Sequence, residues 1–279
     1  YARYFHKVLR DLGFTHNDEP FSKLICQGMV LKDGFKMSKS KGNIVDPDEV
    51  IAEYGADALR LFMIFAAPIE KEIDWTGFEG IDGATRFLRR VFRLVEEHKV
   101  TSEPLPPKEK LSIEEKSLLV KVHQTLHKVT DDLSQRYQFN TLVSSLMEFA
   151  NALHDLPADA PNRGPVMQHC LEIFVKMLSP AAPHAAEQLW EQLEGSGFCM
   201  HAAWPESDPA WRQADEMMVV VQVNGKVRGR VVVPSSATEE QRKAAALACP
   251  EAKHHLEGKE VVKVVVPPGG KLVSIVVKG

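Results

Sequence analysis

The sequence predicts a mixed, mainly α chain in three parts: a short α/β segment, an antiparallel helical bundle and a small α+β domain. Three observations predict it. A short apolar stretch at 24–31 leads into a Lys/Ser/Gly-rich loop and then a strong helix start. Apolar residues recur at helical spacing through 80–193 in successive stretches with short connections, which favours antiparallel neighbours. From 217 onward the pattern changes to Val-rich runs separated by turn residues, the pattern of strands. At 279 residues, with 44% hydrophobic and 26% charged side chains, the chain has material for two or three domains at about 100–200 residues each.

In chain order, residues 1–12 predict a helix, with Phe5, Val8, Leu9 and Leu12 on one stripe and Gly13 as its stop. The stretch 24–31 predicts a buried strand, and 32–43 a loop. Asp46-Pro47-Asp48-Glu49 combines a capping residue, a proline at the first helical position and acids in the first turn. A mostly buried helix follows over 56–67, stopped by Pro68. A long amphipathic helix spans 80–98, and three prolines mark 100–108 as a linker. Further helices are expected over 112–136, 139–156, 166–178 and 181–193, then irregular chain over 195–214. Asn224-Gly225 between strands 217–223 and 226–233 is a strong hairpin signal. A helix over 238–248 and strands 261–266 and 272–277, around Pro267-Pro268-Gly269-Gly270, complete the domain. The expected boundaries are 1–76, 77–212 and 213–279.

Composition removes several function classes. The longest apolar run, 61–67, falls far short of the roughly 18 residues of a membrane span. Thirty-four basic against 38 acidic side chains give a formal charge of −4, so any nucleic-acid contact must come from local basic faces. The four cysteines (Cys26, Cys170, Cys199, Cys249) contain no C-x-x-C pair, against a disulfide framework or a four-thiolate zinc site and in favour of a reducing compartment. The chain opens on Tyr1 with what reads as the inside of a helix, as expected of a fragment or of one piece of a split enzyme.

The segment richest in chemistry is Lys36-Met37-Ser38-Lys39-Ser40-Lys41-Gly42-Asn43. Ammonium groups and hydroxyls on a loop between strand and helix can close over a polyphosphate and stabilise charge on a departing pyrophosphate. Lysine acts there as a point charge able to follow the phosphate, and Gly42 lets the backbone bend away. Taken alone, such a string is more often a solvated loop.

The pentapeptide Lys36 to Ser40 is the K-M-S-K-S signature, and the chain resembles class I aminoacyl-tRNA synthetases. Gln27-Gly28-Met29-Val30-Leu31, Lys41-Gly42-Asn43 and Tyr54-Gly-Ala-Asp-Ala-Leu-Arg-Leu-Phe62 are similar to the aliphatic-amino-acid subgroup. Val221-Gln-Val-Asn-Gly-Lys-Val-Arg-Gly229 resembles the leucyl type of bacteria and organelles. The resemblance implies that residues 1–76 are the tail of a Rossmann-type catalytic domain, followed by an anticodon-binding-type bundle and a C-terminal tRNA-binding domain. It implies leucine activation by ATP, with Mg2+, and transfer to tRNA(Leu) in the cytoplasm or an organellar matrix. Lys39 would contact ATP and Lys36 assist at the phosphates as the catalytic pair, Ser38 and Ser40 would shape the loop, and main-chain groups of Met29 and Val30 would face adenine. For the last two, strand core is an equal alternative. The family's His-Ile-Gly-His motif, amino-acid pocket and editing insertion are absent from these residues, so the isolated chain is expected not to activate leucine. Its expected partner is an N-terminal half, in cis or as a separate subunit. The rivals are a non-catalytic RNA-binding derivative, the valyl or isoleucyl homologue, and a small nucleotidylyltransferase.

Two basic faces are candidates for tRNA. Arg86, Arg89, Arg90 and Arg93 recur at i, i+3, i+4, i+7 opposite Phe87, Val91, Leu94 and Val95; a solvated face paired with Glu96 and Glu97 is the alternative. Lys226, Arg228 and Arg230 alternate along one strand, which places them on one sheet face with Val227, Val231 and Val233 on the other and Gly229 at a bulge or close approach. Trp190, Trp204 and Trp211 are expected to pack rather than stack on bases. His169, Cys170, Cys199 and His201 lack metal-ligand spacing, as do His123 and His127, so no metal site is expected.

Overall fold

The computed structural model describes all residues except 76, 78, 213–215, 235, 236, 268 and 279, and only the backbone of 79, 216 and 217. The expected boundaries after 76 and before 213, and the second proline of the 267–270 turn, lie outside the described residues. Contacts divide the chain into two compact units. One comprises Tyr1–Ser102, Thr125–Asp155 and Met167–Pro205, the other Glu103–Gln124, Leu156–Val166 and Glu206–Gly279.

The first unit opens with α1 (Ala2–Asp11). Gly13 ends it in the left-handed region (φ 79°), where the Phe14 N–H reaches back to the Leu9 carbonyl at 2.8 Å. Arg3 grips Glu19 through paired contacts of 2.7 Å, and His6 Nε2 lies 2.8 Å from the Asn17 carbonyl. The predicted apolar stripe forms but stays uncovered: Phe5 is 61% and Leu12 66% exposed.

The expected strand at 24–31 shrinks to β1 (Val30–Lys32). Leu24 and Ile25 are exposed, and among the described residues the strand ladder starts only at Val30, after the Gly28 N–H has met the Ile69 carbonyl at 2.8 Å. The loop read for 32–43 begins as a tight hairpin instead: Asp33 (φ 57°) and Gly34 (φ 74°) turn the chain into β2 (Phe35–Lys36). Next come α2 (Pro47–Tyr54), capped by Asp46, whose Oδ1 accepts the Asp48 N–H at 3.0 Å, and α3 (Ala56–Ala66). A strand the sequence did not announce, β3 (Ile73–Trp75), pairs in parallel with β1, giving the sheet order β2-β1-β3. Gly28 is obligatory here, because a Cβ would lie 1.8 Å from the Lys71 carbonyl oxygen.

The long helices follow as expected: α4 (Glu79–Glu96), α5 (Ile113–Asp131), α6 (Phe139–His154), α7 (Arg163–Leu178) and α8 (Pro183–Gln192). Beyond α5 the chain widens into a π turn over Asp132–Arg136 and leaves through Tyr137 at φ 56°. Within the first unit, Phe174 of α7 lies between Phe149 of α6 (5.8 Å) and Phe87 of α4 (6.4 Å). All three rings are buried, and at about 1.5–3 kcal/mol per buried apolar side chain they are a main source of cohesion.

Helix α3 packs on α4, α6 and α8 and supplies two polar anchors. Asp57 Oδ2 accepts the Ala185 N–H at 2.6 Å, standing in for the side-chain cap that Ala182 cannot provide to α8. Arg60 donates to the carbonyls of Ala181 (3.2 Å) and Pro180 (3.0 Å).

In the second unit, buried Glu115 accepts the Ser112 N–H (2.8 Å), the Asn162 N–H (2.6 Å) and the Asn162 side-chain amide (3.0 Å), which satisfies a buried carboxylate. Its sheet runs β5-β4-β7-β6, from β4 (Glu216–Val223), β5 (Lys226–Pro234), β6 (Glu260–Val265) and β7 (Leu272–Lys278). The β4–β5 hairpin turns on Asn224 (φ 48°) and Gly225 (φ 78°) as predicted. β7 enters between β4, in parallel, and β6, antiparallel. Val219, Val221, Val223, Val273, Ile275 and Val277 pack one face against α9 (Glu239–Leu247) and a short α10 (Pro250–Lys253) that the sequence did not announce.

Candidate functional site

The signature loop is built on three anchors. Asp74 of β3 accepts the Gly34 N–H at 3.0 Å and fixes the hairpin turn. Half-buried Met37 packs against the cluster of Val50, Ala58, Trp75 and Ile81, which roots the loop in α2, α3 and α4. Asn43 takes the Ser38 N–H on its Oδ1 (2.9 Å) and offers its Nδ2 to the carbonyls of Lys36 (3.4 Å) and Lys32 (3.5 Å).

Between these anchors Lys39–Lys41 form a single 3-10 turn that Gly42 ends at φ 64°, the left-handed bend for which a glycine is suited. The Ser38 and Ser40 hydroxyls lie 3.2 Å apart, one donating to the other. The Lys41 ammonium stands 4.4 Å from the centre of the Phe35 ring. Lys36 and Lys39 are exposed and make no ion pair among the described residues. The loop thus holds its hydroxyls and backbone in place and leaves two cations open to an anion. Met29 is exposed at the mouth of β1, its carbonyl accepting the Ile73 N–H at 3.0 Å; Val30 is half-buried beside Ile73, and the β2 ladder reaches only as far as Leu31.

The arginines of α4 do not form a uniform stripe. Arg86, Arg89 and Arg93 are exposed, whereas Arg90 is half-buried and donates to Asn151 Oδ1 of α6 at 2.6 Å. At about 100° per residue Arg90 sits at the edge next to Phe87 and Leu94, and packing draws it inward.

The basic strand departs further from expectation. Val221 pairs with Gly229 but Gln222 with Val227, so Arg228 is the extra residue of a β-bulge. The bulge reverses the alternation: Lys226 pairs with Val223 of the core face, and Arg230 with Val220 of the other. The three cations therefore do not share one face, and Val227 points away from the core at 56% exposure. Gly229 is the expected close approach, since a Cβ there would come 2.4 Å from Cys249 Sγ. Arg228 instead lies near His255, which strand periodicity could not reveal: burial, then the charges of Arg228, Lys259 and His254, hold His255 below the ordinary histidine value.

The remaining candidates take structural positions. Trp190 is buried, and Trp204 Nε1 donates to Thr130 Oγ1 at 2.9 Å. Trp211 is half-buried, with the Lys108 ammonium 5.0 Å from its ring. Burial pushes the Cys170 thiol up and lowers the neighbouring His169. His123 is buried and its Nδ1 accepts the Asp208 N–H at 3.2 Å, while His127 is exposed.

Comparison with known proteins gives this geometry a family. Residues 8–76 match the tRNA synthetases class I (I, L, M and V), and residues 115–243 the anticodon-binding domain of tRNA ligase. The leucine–tRNA ligase of Geobacter sp. (strain M21) is 49% identical over 99% of this chain, which covers 34% of that protein. That of Thioalkalivibrio sulfidiphilus is 47% identical over 100% of the chain and again 34% of the protein. The chain thus spans about a third of the length of the curated relatives it matches. A crystal structure of a ternary complex of Agrobacterium radiobacter K84 AgnB2 LeuRS, tRNA and LeuAMS superimposes with a TM-score of 0.70 at 30% identity, over 100% of this chain and 36% of that one. With the signature loop between β2 and α2, and similarity running from end to end, the chain is similar throughout its length to a C-terminal third of leucine–tRNA ligases, class I aminoacyl-tRNA synthetases.

Proposed function

We propose that this chain supplies the ATP-closing loop and the tRNA-binding parts of a leucine–tRNA ligase. The observation that carries this reading is the likeness to leucine–tRNA ligases across the whole chain, signature loop included. In the reaction a carboxylate oxygen of leucine attacks the α-phosphorus of ATP, the bond to the bridging oxygen breaks, and pyrophosphate leaves with the negative charge. Lys39 and Lys36 meet that charge with ammonium groups that make no ion pair with carboxylates among the described residues. The Ser38–Ser40 pair keeps the turn compact and presents a hydroxyl to phosphate oxygens. Main-chain groups of Met29 and Val30 lie along the adenine edge. A hydroxyl of the terminal adenosine of tRNA(Leu) then attacks the leucyl carbonyl, and AMP departs. Mg2+ accompanies the phosphates of the nucleotide substrate.

In this reading residues 1–76 are catalytic tail, 77–212 an anticodon-binding-type bundle and 213–279 a tRNA-binding domain. Arg86, Arg89 and Arg93 contact RNA phosphates, and Arg90 orients α4 against α6. Lys226, Arg228 and Arg230 contact RNA as separate cations on two faces of β5, Arg228 beside His255. The catalytic partner is the N-terminal part of the enzyme, in cis or as a separate subunit, and the uncovered stripe of α1 is a face it can bury. The setting is the cytoplasm or an organellar matrix. Among the described residues no helix is long and apolar enough to cross a membrane.

The test is leucine-dependent ATP–pyrophosphate exchange. The chain alone is expected to show none, and assembly with an N-terminal part carrying the His-Ile-Gly-His motif restores it. In that assembly Lys39→Ala slows exchange at least tenfold; an unchanged rate rejects the role of the loop. Charging of valine or isoleucine tRNA instead of leucine tRNA would reassign the specificity. Combined Lys226→Ala, Arg228→Ala and Arg230→Ala is expected to weaken tRNA binding and flatten its salt dependence.

A further inference from the structure

We propose that Asn43 is a positioning residue that sets the direction in which Lys36 and Lys39 leave the loop. The loop has to carry ammonium groups on flexible stems to a charge that appears only as pyrophosphate departs, and such stabilisation depends on groups held in place beforehand. Lys36 and Lys39 have no ion pair among the described residues to hold them, so their aim is set by the backbone that carries them. That backbone is tied together by one side chain. Asn43 Oδ1 accepts the Ser38 N–H at 2.9 Å, while Asn43 Nδ2 faces the Lys36 carbonyl at 3.4 Å and the Lys32 carbonyl at 3.5 Å.

The amide therefore bridges the end of β1, the end of β2 and the residue before the 3-10 turn, joining the point where the loop departs to the point where it returns. The job requires an acceptor and a donor on one short planar group. Aspartate has no donor for the two carbonyls, serine lacks the reach, and only asparagine at this length presents both. Gly42, at φ 64°, turns the chain so that Asn43 points back into the ring it closes. Asn43 is half-buried and its amide is engaged with loop backbone groups, so it acts through the lysines and not on the nucleotide itself.

The inference rests on the reading of the loop as an ATP clamp, and the experiment separates the two. In the chain as it stands, hydrogen exchange of the Ser38 amide is compared with Asn43→Ala; exchange about tenfold faster in the variant is expected once the bond is lost. In the assembled ligase, ATP–pyrophosphate exchange is measured for wild type, Asn43→Ala, Asn43→Asp and Lys39→Ala, with enzyme concentrations set by active-site titration so that misfolded protein does not count. Asn43→Ala is expected to lower kcat about tenfold while KM for ATP moves less than about threefold, because the aim of the cations matters most at the transition state. Asn43→Asp fills the same space and keeps the Ser38 contact but turns the donor into an acceptor against two carbonyls, and it too is expected to lose kcat. An unchanged Ser38 amide, a kcat for Asn43→Ala within twofold of wild type, or a fully active Asn43→Asp overturns the proposal. If Lys39→Ala is also without effect, the clamp itself has failed; if Lys39→Ala is slow while Asn43→Ala is normal, only the role of Asn43 has.

Discussion

Replacing Asp57 by alanine tests whether one carboxylate starts a helix that lies 128 residues away in sequence. Asp57 is buried on α3, and its Oδ2 takes the Ala185 N–H at 2.6 Å while Oδ1 stands 3.0 Å from Nδ1 of His184. The helix it serves begins at Ala182, which has no capping side chain of its own. Losing a cap costs about 0.5–2 kcal/mol, and leaving the amide buried without an acceptor about 1–3 kcal/mol. These describe overlapping parts of one contact, so Asp57→Ala is expected to cost about 2–3 kcal/mol. At roughly 2–4 °C per kcal/mol for a chain of this order, the melting transition falls by about 5–10 °C. The His184 ring is 79% exposed, so His184→Ala costs less than about 0.5 kcal/mol, and Asp57→Asn, which keeps an acceptor, falls between. Thermal unfolding followed by circular dichroism, with hydrogen exchange at Ala185, checks the series. An Asp57→Ala variant as stable as wild type, or a His184→Ala variant equally damaged, refutes the capping account.

Gly229→Ala places a methyl against the buried Cys249 sulfur and is expected to destabilise the second unit by about 1–3 kcal/mol; adding Cys249→Ala recovers part of that loss in urea unfolding, and strictly additive costs would contradict the contact. Iodoacetamide at neutral pH labels exposed Cys26 first and reaches Cys170, whose thiol burial pushes up, only on unfolding, as peptide mapping by mass spectrometry will show. The Arg3 hydrogen bonds, with help from Lys7, hold the Glu19 carboxyl at about 2 against an ordinary 4.5. A depressed folded-state value means that this tether is fully present above about pH 4.5 and is lost as pH falls toward 2. A carboxyl titration by NMR is expected to show that midpoint and its return toward 4.5 in Arg3→Ala.

Much of the architecture was legible because local rules decided it. Asp46-Pro47 starts α2, Asn224-Gly225 turns a hairpin, and the 3.6-residue apolar period marks the long helices. The Asp33-Gly34 hairpin carried the same kind of signal and was hidden inside a segment classed as loop by its lysines and serines. Features set by distant partners left no such trace. β3 is three residues long and exists because β1 lies beside it in parallel. The bulge at Arg228 is a matter of register, which alternation along a single strand cannot reveal and which undid the expected row of cations. At the loop, the residue types announced the chemistry, but the clasp by Asn43 depends on where three backbone groups meet. Asp57 and Arg60 were visible only as members of a motif; what they hold lies on the far side of the bundle in sequence.

The interior place of β7 bears on how the second unit is made. A ribosome delivers β4 and β5 early, and that pair has only its own ladder, a marginal object in water. β6 arrives next, and among the described residues the strand that pairs with it is β7, which is made last of the four. Only when residues 272–278 clear the exit tunnel does a strand exist that joins both pieces and buries the valines of β4 beneath α9 and α10. Closure of this unit therefore waits for β7, and a message cut short within those residues yields two unjoined hydrophobic strand sets, a natural substrate for chaperones and proteases.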